Sequence, residues 1–127
     1  MKDIAKKEMT SSETSTRTSE TMKTAKRQTY TYEEAVAGAS AYFKGDELAA
    51  NVWVNKYALK DSAGNIYEAS PDHMHQRMAS EIARIEARYA NAYSYDEVYD
   101  VLKDFKYIVP QGGPMTGIGN DFQVASL

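Results

Sequence analysis

Cysteine is absent from this chain of 127 residues. Without thiols, no structural disulfide and no thiolate metal site can form within the chain. Long apolar runs are also lacking, since no stretch approaches the roughly 18 residues that a membrane-spanning helix needs. The first residues lack the apolar segment of a secretory signal. We therefore expect a soluble, cytoplasmic protein that contains one domain and a tail.

A strong net charge is lacking as well. The formal charge of -3 and the pI near 5.4 give no overall basis for binding nucleic acid or an anionic membrane. Residues 1–29 differ from the rest, with seven Lys or Arg against four Asp or Glu and many Ser and Thr. Such a segment cannot bury enough apolar surface to offset its ordering entropy, so we predict a disordered polar tail. A basic nucleic-acid arm is the alternative, and the interspersed glutamates argue against it.

Capping signals predict the first two helices. Thr31 and Glu34 form a capping box that opens the first helix, which should run to about Phe43, with Gly45 as its left-handed stop. Asp46 caps a second helix, which should continue through the next thirteen residues. One side of this second helix carries three apolar residues that should face the core: Leu48, Val52 and Leu59.

Two further helices follow a predicted tight turn at residues 63–65 that is flanked by short extended pieces. The third helix has Ser70 as its N-cap and Pro71 at its first position. Its apolar stripe recurs at helical spacing: Met74, Met78, Ile82, Ile85 and Tyr89. The fourth helix begins at Ser94, with Glu97 completing a second capping box. Its apolar residues are Val98, Leu102 and Phe105. The predicted fold class is mainly α, with residues 30–107 as a helical domain.

Candidate catalytic or metal-binding residues are scarce. His73 and His75 are the only histidines. Residues two apart on a helix point about 200° away from each other, so the pair is not expected to hold one metal ion. No serine nucleophile has a recognisable base partner. Trp53 and the tyrosines are expected to pack within the helices.

The glycine-rich segment VPQGGPMTGIGN, residues 109–120, offers a different chemistry. Its glycines are neither a dinucleotide fingerprint nor a Walker A loop. We expect an open loop whose unobstructed backbone N–H groups, with the Thr116 hydroxyl, suit phosphate oxygens. A simple structural turn is the alternative. The residues that follow, Phe122 to Leu127, are predicted to begin a β-strand.

Two segments, KYALKDSAGNIYEASPDHMHQRMA and VPQGGPMTGIGN, resemble the N-terminal region of ribonucleotide reductase catalytic subunits. The resemblance covers about Tyr30 to Leu127. It is closest to the adenosylcobalamin-dependent (class II) members, although class I large subunits share the region. It implies a helical N-terminal domain at residues 30–107. Residues 108–127 would then be the loop and the start of the first strand of an α/β barrel.

The same resemblance implies that another chain completes the barrel. In the family this strand soon reaches a redox cysteine, whereas this chain ends at Ser126 and Leu127. We therefore expect an N-terminal fragment from a split or intein-interrupted reductase, with the radical and redox cysteines on a second chain. The tail is too short and too polar to form the family's ATP-cone.

The resemblance also implies which residues contact the substrate. None is expected to be catalytic, and five are expected to seat the phosphates of a ribonucleotide: Gly112, Gly113, Thr116, Gly117 and Ser126. No cofactor is expected on this fragment. The whole enzyme would use adenosylcobalamin or a class I radical-generating subunit. An autonomous helical interaction module, without any catalytic association, is the rival interpretation.

Overall fold

The structure is a computed structural model that describes residues 27–122. Its helices are α1 (Tyr32–Tyr42), α2 (Glu47–Lys56), α3 (Pro71–Glu86), α4 (Tyr95–Leu102) and α5 (Gly112–Gly117), with a 3₁₀ turn at Lys103–Phe105. Residues 27–122 contain no β-strand, only isolated antiparallel bridges from Ile66 to Tyr30 and Lys60. The mainly α fold class is therefore confirmed. Most of the predicted tail, and the predicted strand beyond Phe122, lie outside the described residues.

Three of the four predicted N-caps make side-chain bonds that start their helices, whereas Ser70 precedes α3 without a side-chain cap hydrogen bond. Thr31 and Glu34 form the complete capping box, with the Glu34 N–H donating to Thr31 Oγ1 at 3.1 Å and the Thr31 N–H donating to Glu34 Oε2 at 2.8 Å. Asp46 accepts an amide N–H of the first turn of α2. Ser94 accepts the Glu97 N–H at 3.2 Å, but the Glu97 carboxylate binds the Ser94 hydroxyl instead of the backbone amide. These bonds satisfy amides that have no partner inside the helix.

The face and the end of α2 differ from the prediction. Leu48 and Val52 are 75% and 40% exposed, so the prediction that they face the core is wrong. The Trp53 indole takes the buried side instead and donates to the Met74 sulfur at 3.5 Å. The helix also ends at Lys56, three residues before its predicted end. Leu59 lies outside the helix and donates its N–H to the buried Glu68 carboxylate. The buried residues of α2 are Ala50, Trp53 and Val54.

The core forms where α3 packs against the other helices. Met74 and Met78 are fully buried, as the stripe on α3 predicts, and Ile82 packs partly against them. The stripe then leaves the core, because Ile85 is exposed and Tyr89 lies beyond the end of the helix. Leu102 brings α4 onto this cluster. The predicted turn is confirmed, with Asp61 Oδ1 accepting the amides of residues 63 and 65.

Gly38 lets α1 pass close to the segment that precedes α3. A Cβ at this position would lie 2.1 Å from the Ala69 carbonyl oxygen, far inside van der Waals contact. The neighbouring atom is backbone and cannot swing aside. Only glycine fits here, so this residue sets how tightly α1 packs.

Gly38→Ala should destabilise the fold by about 1–3 kcal/mol, because the overpacking strain exceeds the helix propensity that alanine brings. Denaturant unfolding measures the change. Ala41→Ser, which adds one atom at an exposed position of the same helix, should change the free energy of unfolding by less than about 0.5 kcal/mol. An equally stable Gly38→Ala protein would contradict the packing described here.

His75 is a buried titratable group on α3. Its side chain is 0% exposed, and neither ring nitrogen has a hydrogen-bond partner among the described residues. The ring packs edge-on against Phe105 at a centroid distance of 4.6 Å. Burial lowers the pKa of His75, opposed by the nearby carboxylates of Asp72 and Asp104. The imidazole is therefore held neutral in the folded protein.

The free energy of unfolding should fall as the pH drops below about 6.5, the unfolded-state pKa of histidine. The unfolded chain then binds a proton that the folded chain excludes, at a cost of up to about 1.4 kcal/mol per pH unit until the folded-state pKa is reached. His75→Phe should flatten this dependence below about pH 6.5. Ala41→Ser, at an exposed position that carries no titratable group, is the control and should preserve it. An unchanged slope in His75→Phe would contradict the neutral assignment.

Candidate functional site

The glycine-rich segment is helical, which corrects the expectation of an open loop. Residues Gly112–Gly117 form α5, in which the Met115 N–H donates to the Gln111 carbonyl at 3.1 Å. Burial of Met115 against the core stabilises this turn despite its three glycines. Helix geometry leaves the amides of Gly112 and Gly113 without an intrahelical partner, and Pro114 has no amide hydrogen. Fewer N–H groups are therefore available than a loop would present.

The structure brings four of the five predicted site residues together on α5. The Thr116 hydroxyl donates back along the helix, to the carbonyls of Gly112 at 3.1 Å and Gly113 at 3.2 Å. The Gly117 carbonyl accepts the amide of Asn120 at 3.1 Å. Ser126 lies outside the described residues. The hydroxyl of Thr116 would have to rotate away from these carbonyls to donate to a ligand.

A buried ion pair that the sequence pattern did not predict lies next to α5. Arg77 Nε donates to Glu68 Oε2 at 3.0 Å, and the two side chains are only 9% and 4% exposed. Glu68 Oε1 also accepts the Leu59 N–H at 2.9 Å. Only the positions of the two residues in the sequence indicated that they are buried. Arg77 adjoins the apolar stripe of α3, and Glu68 lies two residues after the buried Ile66.

The same guanidinium binds the carbonyl end of α5. Arg77 Nη2 donates to the Met115 carbonyl oxygen at 2.6 Å, and Nη1 donates to the Ile118 carbonyl oxygen. Carbonyls at the end of a helix lack intrahelical partners and attract cations. One side chain therefore joins α3, Glu68 and the glycine-rich segment.

Gly119 lets the chain pass close to this arginine. Its φ of +75° lies in the left-handed region, and a Cβ there would lie 2.9 Å from Arg77 Cγ and 3.1 Å from the Arg77 carbonyl oxygen. Both the backbone conformation and the close approach favour glycine. This residue fixes the path by which the chain leaves α5.

The residues after α5 are held by a second set of contacts. Arg27 Nη1 donates to Asp121 Oδ1 at 2.9 Å, and the pair lowers the pKa of Asp121. The Phe122 ring stacks on Tyr67 at a centroid distance of 4.7 Å and has the Arg27 guanidinium 4.9 Å from its centre. Arg27 and Phe122, which lie at the two ends of the described range, are therefore held next to Tyr67 in the 59–68 segment.

The two histidines, His73 and His75, do not face a common site. His73 Nδ1 accepts the Ala69 N–H at 3.1 Å, and the ring lines an open cleft of about 540 Å³ beside Arg77. His75 lies in the core. Within residues 27–122, no three His, Asp or Glu side chains are placed to hold a metal ion. No helix in that range is long and apolar enough to cross a membrane.

Comparison with known families identifies the class of domain. Residues 43–113 match the family described as "Ribonucleotide reductase, all-alpha domain". The match covers more than half of the chain and runs from the end of α1 to the start of α5. The chain therefore belongs to this family. Searches of the curated proteins and of the solved structures found no match.

Gly119→Ala should loosen the segment after α5, because alanine adds a clash with Arg77 to the cost of a left-handed backbone. Limited proteolysis at residues 117–122 should accelerate by roughly tenfold. Gly64→Ala is the matched control, since Gly64 has a φ of +88° but nothing within 4 Å of its Cβ position. Equal behaviour of the two variants would show that the Arg77 contact contributes nothing.

Proposed function

We propose that this chain is the N-terminal helical domain of a ribonucleotide reductase catalytic subunit, of the adenosylcobalamin-dependent type that it resembles. In that role it contributes to reducing ribonucleotides to deoxyribonucleotides for DNA synthesis. The observation that carries the proposal is the family match over residues 43–113, which includes the first two glycines of α5. The matched range also contains Glu68 and Arg77, the buried pair that organises the site.

The proposed partner is a second chain that carries the reductase barrel and its cysteines. Three consecutive apolar residues precede α5 and are largely exposed: Tyr107 at 69%, Ile108 at 50% and Val109 at 65%. A contiguous apolar run on a surface is typical of a protein contact. The radical chemistry of the family needs cysteine thiols, and this chain contains none. The proposal therefore assigns the cysteines and the radical-generating cofactor to the barrel.

The proposed task of α5 is to help seat the phosphates of the ribonucleotide. Gly112 and Gly113 contribute amides that α5 leaves without intrahelical partners. Thr116 contributes its hydroxyl after rotation, and Gly117 keeps the surface free of side chains. Ser126 belongs to the same proposal on the resemblance alone. Charged phosphate oxygens form strong hydrogen bonds with such donors.

The direct test is ribonucleotide reduction by a cysteine-bearing reductase barrel with and without this chain. The proposal expects deoxyribonucleotide formation to depend on the chain, and to rise with its concentration until the barrel is saturated. Equal formation without the chain would contradict it, and would favour the autonomous interaction module.

Thr116→Ala should raise the KM for the ribonucleotide roughly tenfold in the reconstituted enzyme, since it removes one hydrogen bond to a charged group. Gly117→Val should weaken reduction further by crowding the same surface. Ser62→Ala removes an exposed hydroxyl from the 61–65 turn and is the control. Kinetics that are unchanged in both α5 variants would remove α5 from the substrate site.

A further inference from the structure

We infer that Arg77 is the positioning residue of α5: its guanidinium sets the orientation in which the glycine-rich helix presents Gly112, Gly113 and Thr116. The inference deepens the proposed function and rests on it for the link to substrate. Its structural half concerns only the described residues and can be tested separately.

All three nitrogens of the guanidinium donate hydrogen bonds to Glu68 or to the carbonyls at the end of α5. Its Nε and Nη2 face Glu68, at 3.0 and 3.4 Å, while Nη1 and Nη2 also donate to the two carbonyls that end α5. A planar fork with five donors can satisfy a carboxylate and two carbonyls at once. A lysine ammonium at the same place is a single point and cannot span these acceptors. The geometry is therefore specific to arginine.

The rest of α5 offers little to fix its orientation. Met115 is the only buried residue of α5. At the opposite end, Gly112 lies against the Tyr57 ring, where a Cβ would be 3.4 Å from Cε1. Ile118, directly after α5, packs only partly against the core, and one fully buried anchor leaves a short helix free to pivot. The two Arg77 bonds at its carbonyl end supply the second fixed point.

Glu68 holds the arginine in place from the other side. Its carboxylate accepts the Leu59 N–H as well as Nε of Arg77, so the ion pair is anchored to the 59–68 segment. A displacement of that segment would reach α5 through one rigid side chain. The placement of α5 thus depends on residues almost fifty positions earlier in the sequence.

Hydrogen exchange in the full chain tests the structural half. Arg77→Lys should accelerate exchange of the Ile118 and Asn120 amides by about tenfold or more, while amides inside α3 change by less than about threefold. Arg84→Lys is the matched control, since Arg84 pairs with Glu81 on the exposed face of the same helix. Unchanged exchange at Ile118 and Asn120, or the same acceleration at every amide, would overturn the inference.

A second variant keeps the test decisive if the lysine of Arg77→Lys pairs poorly with the buried Glu68 carboxylate and unfolds the protein. Glu68→Gln with Arg77→Met removes both charges together, and the glutamine oxygen still accepts the Leu59 N–H. The fold should persist, and exchange at Ile118 and Asn120 should still accelerate by about tenfold. A folded double variant with wild-type exchange there would overturn the inference.

Kinetics of the reconstituted reductase test the functional half. Arg77→Lys should raise the KM for ribonucleotide by about fivefold and change kcat by less than about twofold, since misplaced phosphate donors weaken binding first. Locally faster exchange with an unchanged KM in both Arg77→Lys and Thr116→Ala would leave the positioning role standing. That result would overturn the proposed phosphate seat instead.

Discussion

The buried ion pair between Glu68 and Arg77 is the interaction on which the arrangement of the site depends. Burying two charges costs several kcal/mol of hydration per ion, and the pair is tolerated only where hydrogen bonds satisfy the remaining atoms. Here the Leu59 amide and the carbonyls of Met115 and Ile118 provide those bonds. The pair therefore joins three parts of the chain that are distant in sequence.

Local chemistry explains which elements could be predicted from the sequence. The caps at Thr31, Asp46 and Ser94 and the Met74–Met78 spacing act within one or two turns, and the structure reproduces them. Which side of α2 faces the core depends on the packing of the Trp53 indole against Met74, and the spacing of apolar residues does not predict that contact. A tertiary contact, not a local signal, decided it.

The glycine-rich segment shows the same limit more strongly. Glycine and proline favour a loop by intrinsic propensity, and α5 forms where Met115 meets the core and Arg77 meets the terminal carbonyls. Arg77 is a charged residue beside an apolar stripe, and this position indicated that it would need a buried partner of opposite charge. Thr116 therefore lies on a helix, with its hydroxyl bound to the carbonyls of Gly112 and Gly113.

The most direct test of the account is nuclear magnetic resonance of the Arg77 guanidinium. Bonds to Glu68 and to the α5 carbonyls should slow rotation of its Nη groups and give resolved, slowly exchanging proton signals. Through-bond couplings should reach the carbonyl carbons of Met115 and Ile118. The exposed Arg88, two residues beyond the end of α3, gives the averaged signal for comparison. An averaged Arg77 signal like that of Arg88 would contradict the account.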